Sequence, residues 1–344
     1  MLKLLTSSFL LVFVILIFFG FVPREEKLPG DFSVYKLLEA FGDTPLPHKP
    51  NFSIEGTSAE RGREIVINGM SDLAGKKSRR QSKHFVCTSC HNIEREDPDL
   101  AHPSPEARLK YVSEHDMPFL QGSALYGIIN RRSFYNGDYD KKYGDLVKPT
   151  RHNLREAIQL CAIECSQGRK LKDFELESIL AYFWTIDLKL DDLILSEQER
   201  QLIEHSFNTG EKKREAMDIL KSKFMDYSPA TFLAPPEDRK TGDGLIGDAS
   251  NGSLIYKYSC QHCHFDNRYS FLLLDNERLT FQYLLHKAGT YDPHSIYQVI
   301  RYGTPPKGGK EAYMPQYTKE KMSDQQMADL RAYIEAEAKG ESQM

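Results

Sequence analysis

Cys87-Thr88-Ser89-Cys90-His91 and Cys260-Gln261-His262-Cys263-His264 repeat one pattern, two thiols separated by two residues and followed at once by an imidazole. Two thiols one helical turn apart can each add to a vinyl group of a haem, and the adjacent histidine then reaches the iron as proximal ligand. A single C-x-x-C also serves zinc and thiol redox sites. Two copies, each in its own domain-sized segment, point to two covalently attached haem c groups, one held by Cys87, Cys90 and His91 and the other by Cys260, Cys263 and His264.

Each iron then needs a distal ligand. Fifty residues after His264 comes Tyr313-Met314-Pro315, in a stretch that also holds Gly303, Pro305, Pro306, Gly308 and Gly309. From about Ser323 the apolar spacing of Met327, Leu330, Tyr333 and Ile334 predicts a helix. A loop thioether just ahead of this last helix makes Met314 the expected distal ligand, and Met/His ligation raises the reduction potential. Met322 and Met327 read as core.

Residues 171–183 align with 322–334 at a constant offset of 151, which places Ile163 where Met314 stands in the second half. Isoleucine cannot bind iron, but Cys161 and Cys165 flank it two residues away on either side. A thiolate distal ligand, Cys161 or Cys165, is therefore expected at the first haem, where it favours Fe(III) and lowers the potential. Other arrangements are a Cys161–Cys165 disulfide, ligation by Met117, or a bis-histidine site using His102, His115 or His152.

The elements that position these groups read as α-helical. Residues 59–66 open the first haem domain (57–194), and residues 250–260 are the matching start of the second (248–344). Residues 195–247 read as a helix on the first domain followed by a Pro/Gly-rich linker, and residues 24–56 as a tether. Lys76, Lys77, Arg79, Arg80 and Lys83 read as a solvated loop, with docking to an acidic partner as the functional alternative.

The 344 residues carry 45 Lys and Arg against 49 Asp and Glu, a net charge of −4 that offers no footprint for nucleic acid. With 40% hydrophobic and 27% charged residues, the chain is no polytopic membrane protein. Residues 4–22 nevertheless lack any charge and follow Lys3, so residues 1–23 form a signal peptide or membrane anchor. Either places the remainder in the periplasm or on the membrane face toward it.

After about residue 57 the two halves resemble class I c-type cytochrome domains in tandem. The first half is similar to diheme thiosulfate dehydrogenases and related sulfur-oxidising cytochrome subunits. Leu125-Tyr126-Gly127 and Ser133-Phe134-Tyr135-Asn136-Gly137 carry part of the resemblance, and Ala157-Ile158-Gln159-Leu160-Cys161 with Cys165-Ser166-Gln167-Gly168 carry the rest. The resemblance implies that Cys161 is the ligand of an active-site haem. Ala157, Gln159 and Ser166 replace the family's Arg, Asn and Met, and residues 138–151 are inserted.

Three functions are compatible with this reading. The first is electron transfer between donor and acceptor redox proteins. The second is an oxidoreductase that oxidises a small sulfur anion at Cys161 of the first haem, with Arg131, Arg132 and Arg155 as candidate anion partners. The third, a diheme peroxidase, needs an open distal site that two Cys- or Met-bearing halves disfavour.

Overall fold

Serine, asparagine and aspartate side chains set where most helices begin. In the computed structural model, which describes residues 27–73, 76–266, 269–304 and 312–340, Ser33, Ser58, Ser104, Asn153, Ser196, Asp248, Ser295 and Ser323 each accept from a backbone amide of the following turn. Each satisfies a donor that the helix leaves open. The first half contains α1 (Val34–Ala40), α2 (Ala59–Asn68), α3 (Pro105–Glu114), α4 (Tyr139–Tyr143), α5 (Leu154–Leu160) and α6 (Asp173–Phe183). After α7 (Glu197–Thr209) and α8 (Lys213–Ser222) come α9 (Ala249–Ile255), α10 (Gln261–His264), α11 (Arg278–Ala288), α12 (Ile296–Tyr302) and α13 (Asp324–Lys339).

Among the described residues there is no strand, only an isolated antiparallel bridge between Ser33 and Lys189. None of their helices is long and apolar enough to cross a membrane. The expected signal or anchor at 1–23 lies outside the described residues.

The offset of 151 reappears in three dimensions. α6 and α13 begin at Asp173 and Asp324, and each crosses the helix that opens its half, α2 or α9. Both crossings are made at a glycine. A Cβ on Gly62 would fall 1.8 Å from the Ser178 carbonyl oxygen, and one on Gly252 would fall 2.1 Å from that of Asp329. Ser178 and Asp329 are themselves equivalent under the offset, so the two halves share one helix-crossing design.

Among the described residues, three apolar clusters form the interior. Ile65, Val66, Leu154, Ile179, Leu180 and Phe183 belong to the first, built on α2, α5 and α6. The second holds Ile255, Tyr256, Phe281, Ile300, Met322, Met327, Leu330 and Ile334, so Met322 and Met327 are core residues as expected. The third corrects the tether assigned to 24–56. Leu28, Val34, Leu37, Leu38 and Phe41 are buried against Leu190, Ile203, Ala216 and Leu220, because the amphipathic faces of α7 and α8 need an apolar cover that α1 supplies.

The boundary between the halves also differs from the sequence reading. Leu109, Val112, Met117 and Phe119 precede the first half's last helix in sequence but pack into the second cluster. The linker expected after α8 is pinned on both sides. Arg132 and Asp138 donate backbone amides to Asp226 and Ala230 at 2.7 and 2.8 Å, while Thr231 Oγ1 donates to Glu320 at 2.7 Å.

Candidate functional site

Cys87, Cys90 and His91 line a cavity of about 220 Å³ whose walls include Ile65, Phe85, Leu125, Ile128, Phe134 and Ile179. His91 Nδ1 lies 2.7 Å from the Ser123 carbonyl oxygen. A carbonyl can only accept, so Nδ1 carries the proton and Nε2 keeps its lone pair, as a metal-binding imidazole requires. Burial lowers the affinity of His91 for a second proton. Gly122 lets the chain pass here, since a Cβ would fall 2.4 Å from the His91 ring.

Cys161 and Cys165 line the same cavity. They occupy a widened turn after α5, closed by Ser166 N donating to Cys161 O at 2.9 Å, a geometry frequent at functional sites. No disulfide joins them in this structure. The Cys161 thiol donates to Cys165, which raises the affinity of Cys161 for its proton and lowers that of Cys165. Tyr143 and Tyr135 hydroxyls add to the effect on Cys165, donating to its Sγ at 3.3 and 3.5 Å. Cys165 is thus the receiver of hydrogen bonds in the pair.

The basic segment ahead of Cys87 braces this turn with its uncharged residues. Gln81 Nε2 donates to Ala162 O at 2.6 Å and to Ser166 Oγ at 2.9 Å, and Ser82 Oγ donates to Ser166 O at 2.5 Å. The solvated-loop reading therefore holds for the charged side chains but not for buried Gln81 and Ser82.

In the second half His264 Nδ1 lies 3.1 Å from the Leu272 carbonyl oxygen, repeating the arrangement at His91. Met314 packs against the same apolar cluster as Cys260. Its loop is clamped by two hydrogen bonds, Met314 N to Thr304 Oγ1 at 2.7 Å and Thr304 N to Met314 O at 2.9 Å. Gly303, at φ +67°, admits the loop, because a Cβ would fall 2.4 Å from Met314 O.

The two motifs are neighbours. Thr88, His91, Gln261 and His262 line one groove together with Met117, Pro118 and Tyr258. Phe119 N donates to Tyr258 O at 2.8 Å. Phe85 meets Tyr313 edge-on, with ring centroids 5.8 Å apart.

Residues 247–334 match the family model of cytochrome C oxidase, cbb3-type, subunit III. The protein carries a c-type cytochrome domain. Covalent haem c and electron transfer follow for this segment, and Cys260, Cys263 and His264 fall inside it. No curated protein and no solved structure matches the chain. The chemistry of the first cavity fits the same group: a vinyl-reactive thiol pair, a neutral imidazole with a free nitrogen, and apolar walls.

Other expected residues lie elsewhere. Met117 is in the core beside the c-type cytochrome domain. His102 pairs with Asp99, His115 stacks on Tyr111, and His152 bonds to Arg132 O. None of these four lines the first cavity. Arg132 is held by Asp43 at 2.7 Å and Arg155 by Glu177 at 2.6 Å, so of the three candidate arginines only Arg131 reaches the cavity. The sequence reading missed Lys142, Tyr139 and Tyr143 of the insertion, and Tyr313, Gln316, Thr318 and Lys321 from the c-type cytochrome domain, all of which line it. The one signal available was Tyr139 and Tyr143 at i, i+4 spacing, which places both on one helix face.

Proposed function

We propose that the protein is a diheme c-type cytochrome that transfers electrons between redox partners in the periplasm or at the outer face of the membrane. The observation that carries this reading is the single groove lined by His91 of the first C-x-x-C-H motif and by Gln261 and His262 of the second. The haems supply one-electron redox chemistry; the chain's part is to hold them, set their potentials and admit partners. Cys87, Cys90 and His91 hold haem 1, while Cys260, Cys263, His264 and Met314 hold haem 2.

Cys161, favoured by the resemblance, or Cys165 would supply the thiolate that haem 1 binds. Cys161 would have to release the proton it donates to Cys165, whereas the hydrogen bonds from Tyr135, Tyr143 and Cys161 already stabilise the Cys165 thiolate. A second reading, a thiosulfate dehydrogenase-like oxidoreductase acting on a sulfur compound at haem 1, is favoured by the pair of free thiols in that cavity.

Mass spectrometry of the matured protein tests the haem count, with two haem masses per chain expected and one expected after Cys87→Ala/Cys90→Ala. Low-temperature EPR of the oxidised protein tests ligation. A narrow low-spin thiolate signal should vanish in either Cys161→Ala or Cys165→Ala and persist in the other. If neither substitution alters the spectrum, thiolate ligation is wrong.

A further inference from the structure

Residues 119–123 join the two C-x-x-C-H motifs, and both ends of this short strap are held. At one end the His91 imidazole donates Nδ1–H to Ser123 O at 2.7 Å, and Gly122 N donates to Cys90 O at 2.9 Å. At the other end both backbone groups of Phe119 are bonded to the second half. Its amide donates to Tyr258 O at 2.8 Å, and its carbonyl accepts from the Tyr317 hydroxyl at 3.0 Å. A carbonyl cannot donate, so the Tyr317 proton is engaged by Phe119, and the Ser259 hydroxyl must be the donor in its 2.5 Å contact with Tyr317. The order Ser259 to Tyr317 to Phe119 is thereby fixed, and all three residues are buried, where a polar group left without a partner costs most. Between the ends, Arg108 donates to Leu120 O at 3.0 Å. Ser259 immediately precedes Cys260, so five residues connect the backbone at one motif to the imidazole of the other.

We propose that this strap couples the two haem sites: Tyr317, from the second half, is a positioning residue for His91 and acts through Phe119 to set the reduction potential of haem 1. A carbonyl that accepts from Nδ1–H makes the imidazole a stronger electron donor through Nε2, and a stronger donor stabilises the more highly charged Fe(III). Anchoring Phe119 O fixes where Ser123 O stands, four residues further on. Releasing that anchor lets the His91 bond lengthen, and the Fe(III)/Fe(II) equilibrium moves toward Fe(II). This rests on the reading of both motifs as haem sites, and it adds a route by which one half tunes the other.

The test is a redox titration of the full-length holoprotein and its variants, followed by visible absorption and low-temperature EPR, with haem 1 identified as the signal lost in Cys87→Ala/Cys90→Ala. Tyr317→Phe keeps the ring and removes the hydroxyl. It should move the haem 1 equilibrium about threefold toward Fe(II), ~30 mV for one electron, less than the roughly tenfold effect of deleting an outer partner because the His91 bond is loosened and not lost. Ser259→Ala leaves Tyr317 bonded to Phe119 but unsupported, and should give a smaller shift of the same sign. Tyr256→Phe removes a second buried hydroxyl of the second half, one that donates to Asp275 O at 2.6 Å and not to the strap, and should leave haem 1 unmoved. A haem 1 potential that is unchanged in Tyr317→Phe, or that shifts as far in Tyr256→Phe, overturns the coupling, while two haem masses per chain leave the diheme reading standing. Where Tyr317→Phe fails to take up both haems, Ser259→Ala decides, and no shift there overturns the coupling. A wild type with one haem mass per chain overturns the diheme reading and the coupling with it.

Discussion

Replacing Glu96 by glutamine is expected to lower the unfolding free energy by about 3–5 kcal/mol, the range found when one partner of a buried ion pair is removed. The Glu96 side chain is 1% exposed and receives Lys321 Nζ at 2.9 Å, with Arg108 Nη1 at 3.5 Å. Asn92 Nδ2 donates to it at 2.8 Å and the Ala124 amide at 3.1 Å. The amide would keep the shape and leave two buried cations facing each other. Arg108 cannot swing away, because it also donates to Leu120 O and Lys321 O at 3.0 and 2.6 Å.

The pH dependence follows from the same contacts. Burial alone would raise the Glu96 carboxyl, but Lys321 and Arg108 hold it below its ordinary 4.5. A depressed carboxyl stabilises the fold fully above 4.5 and loses that contribution as pH falls through its folded value. The stability gap between wild type and Glu96→Gln, read from urea unfolding, should therefore be widest near neutrality and close in acid. Adding Lys321→Met to Glu96→Gln should recover part of the loss by removing one stranded cation. A gap under 1 kcal/mol at pH 7 would show that this network does not hold the halves together.

The second large effect concerns the crossing glycines. Gly62→Ala and Gly252→Ala should each destabilise the holoprotein by about 3 kcal/mol or more, at or beyond the upper end of ordinary overpacking. In both cases the added methyl meets a backbone oxygen, at 1.8 and 2.1 Å, rather than a side chain that can turn aside. Helix propensity works in the opposite direction, since alanine inside a helix is favoured over glycine by about 1 kcal/mol. Thermal unfolding of these variants can be compared with Gly210→Ala, where φ is +78° and the nearest atom to a Cβ is 3.6 Å away. That control should lose only about 1–2 kcal/mol from its left-handed backbone. Unchanged or raised melting temperatures for Gly62→Ala and Gly252→Ala would mean that the helices separate without penalty.

The attachment motifs, the Met314 loop and the repeat of α6 in α13 were legible from the chain because each is local: a spacing of a few residues, or one helix with its approach. The presence of Cys161 and Cys165 at the first cavity could also be read, because an offset alignment needs only the order of residues. The tether at 24–56 was misread because the apolar residues of α1 announce a partner without saying where it lies, and α7 and α8 follow more than 150 residues later.

The sequence by itself determined two C-x-x-C-H motifs, a pair of cysteines near the position that Met314 holds in the second half, and a helix repeated at an offset of 151, since motif spacing and helix periodicity act over a few neighbouring residues. The tertiary structure decided what those motifs face. Packing brought Gln316 and Lys321 of the second half to the first cavity, buried α3 in the second core and set Arg132 and Arg155 against carboxylates instead of a ligand. Such contacts join residues far apart along the chain, and they form because buried charges and apolar faces must be matched by whichever segment the fold brings to them.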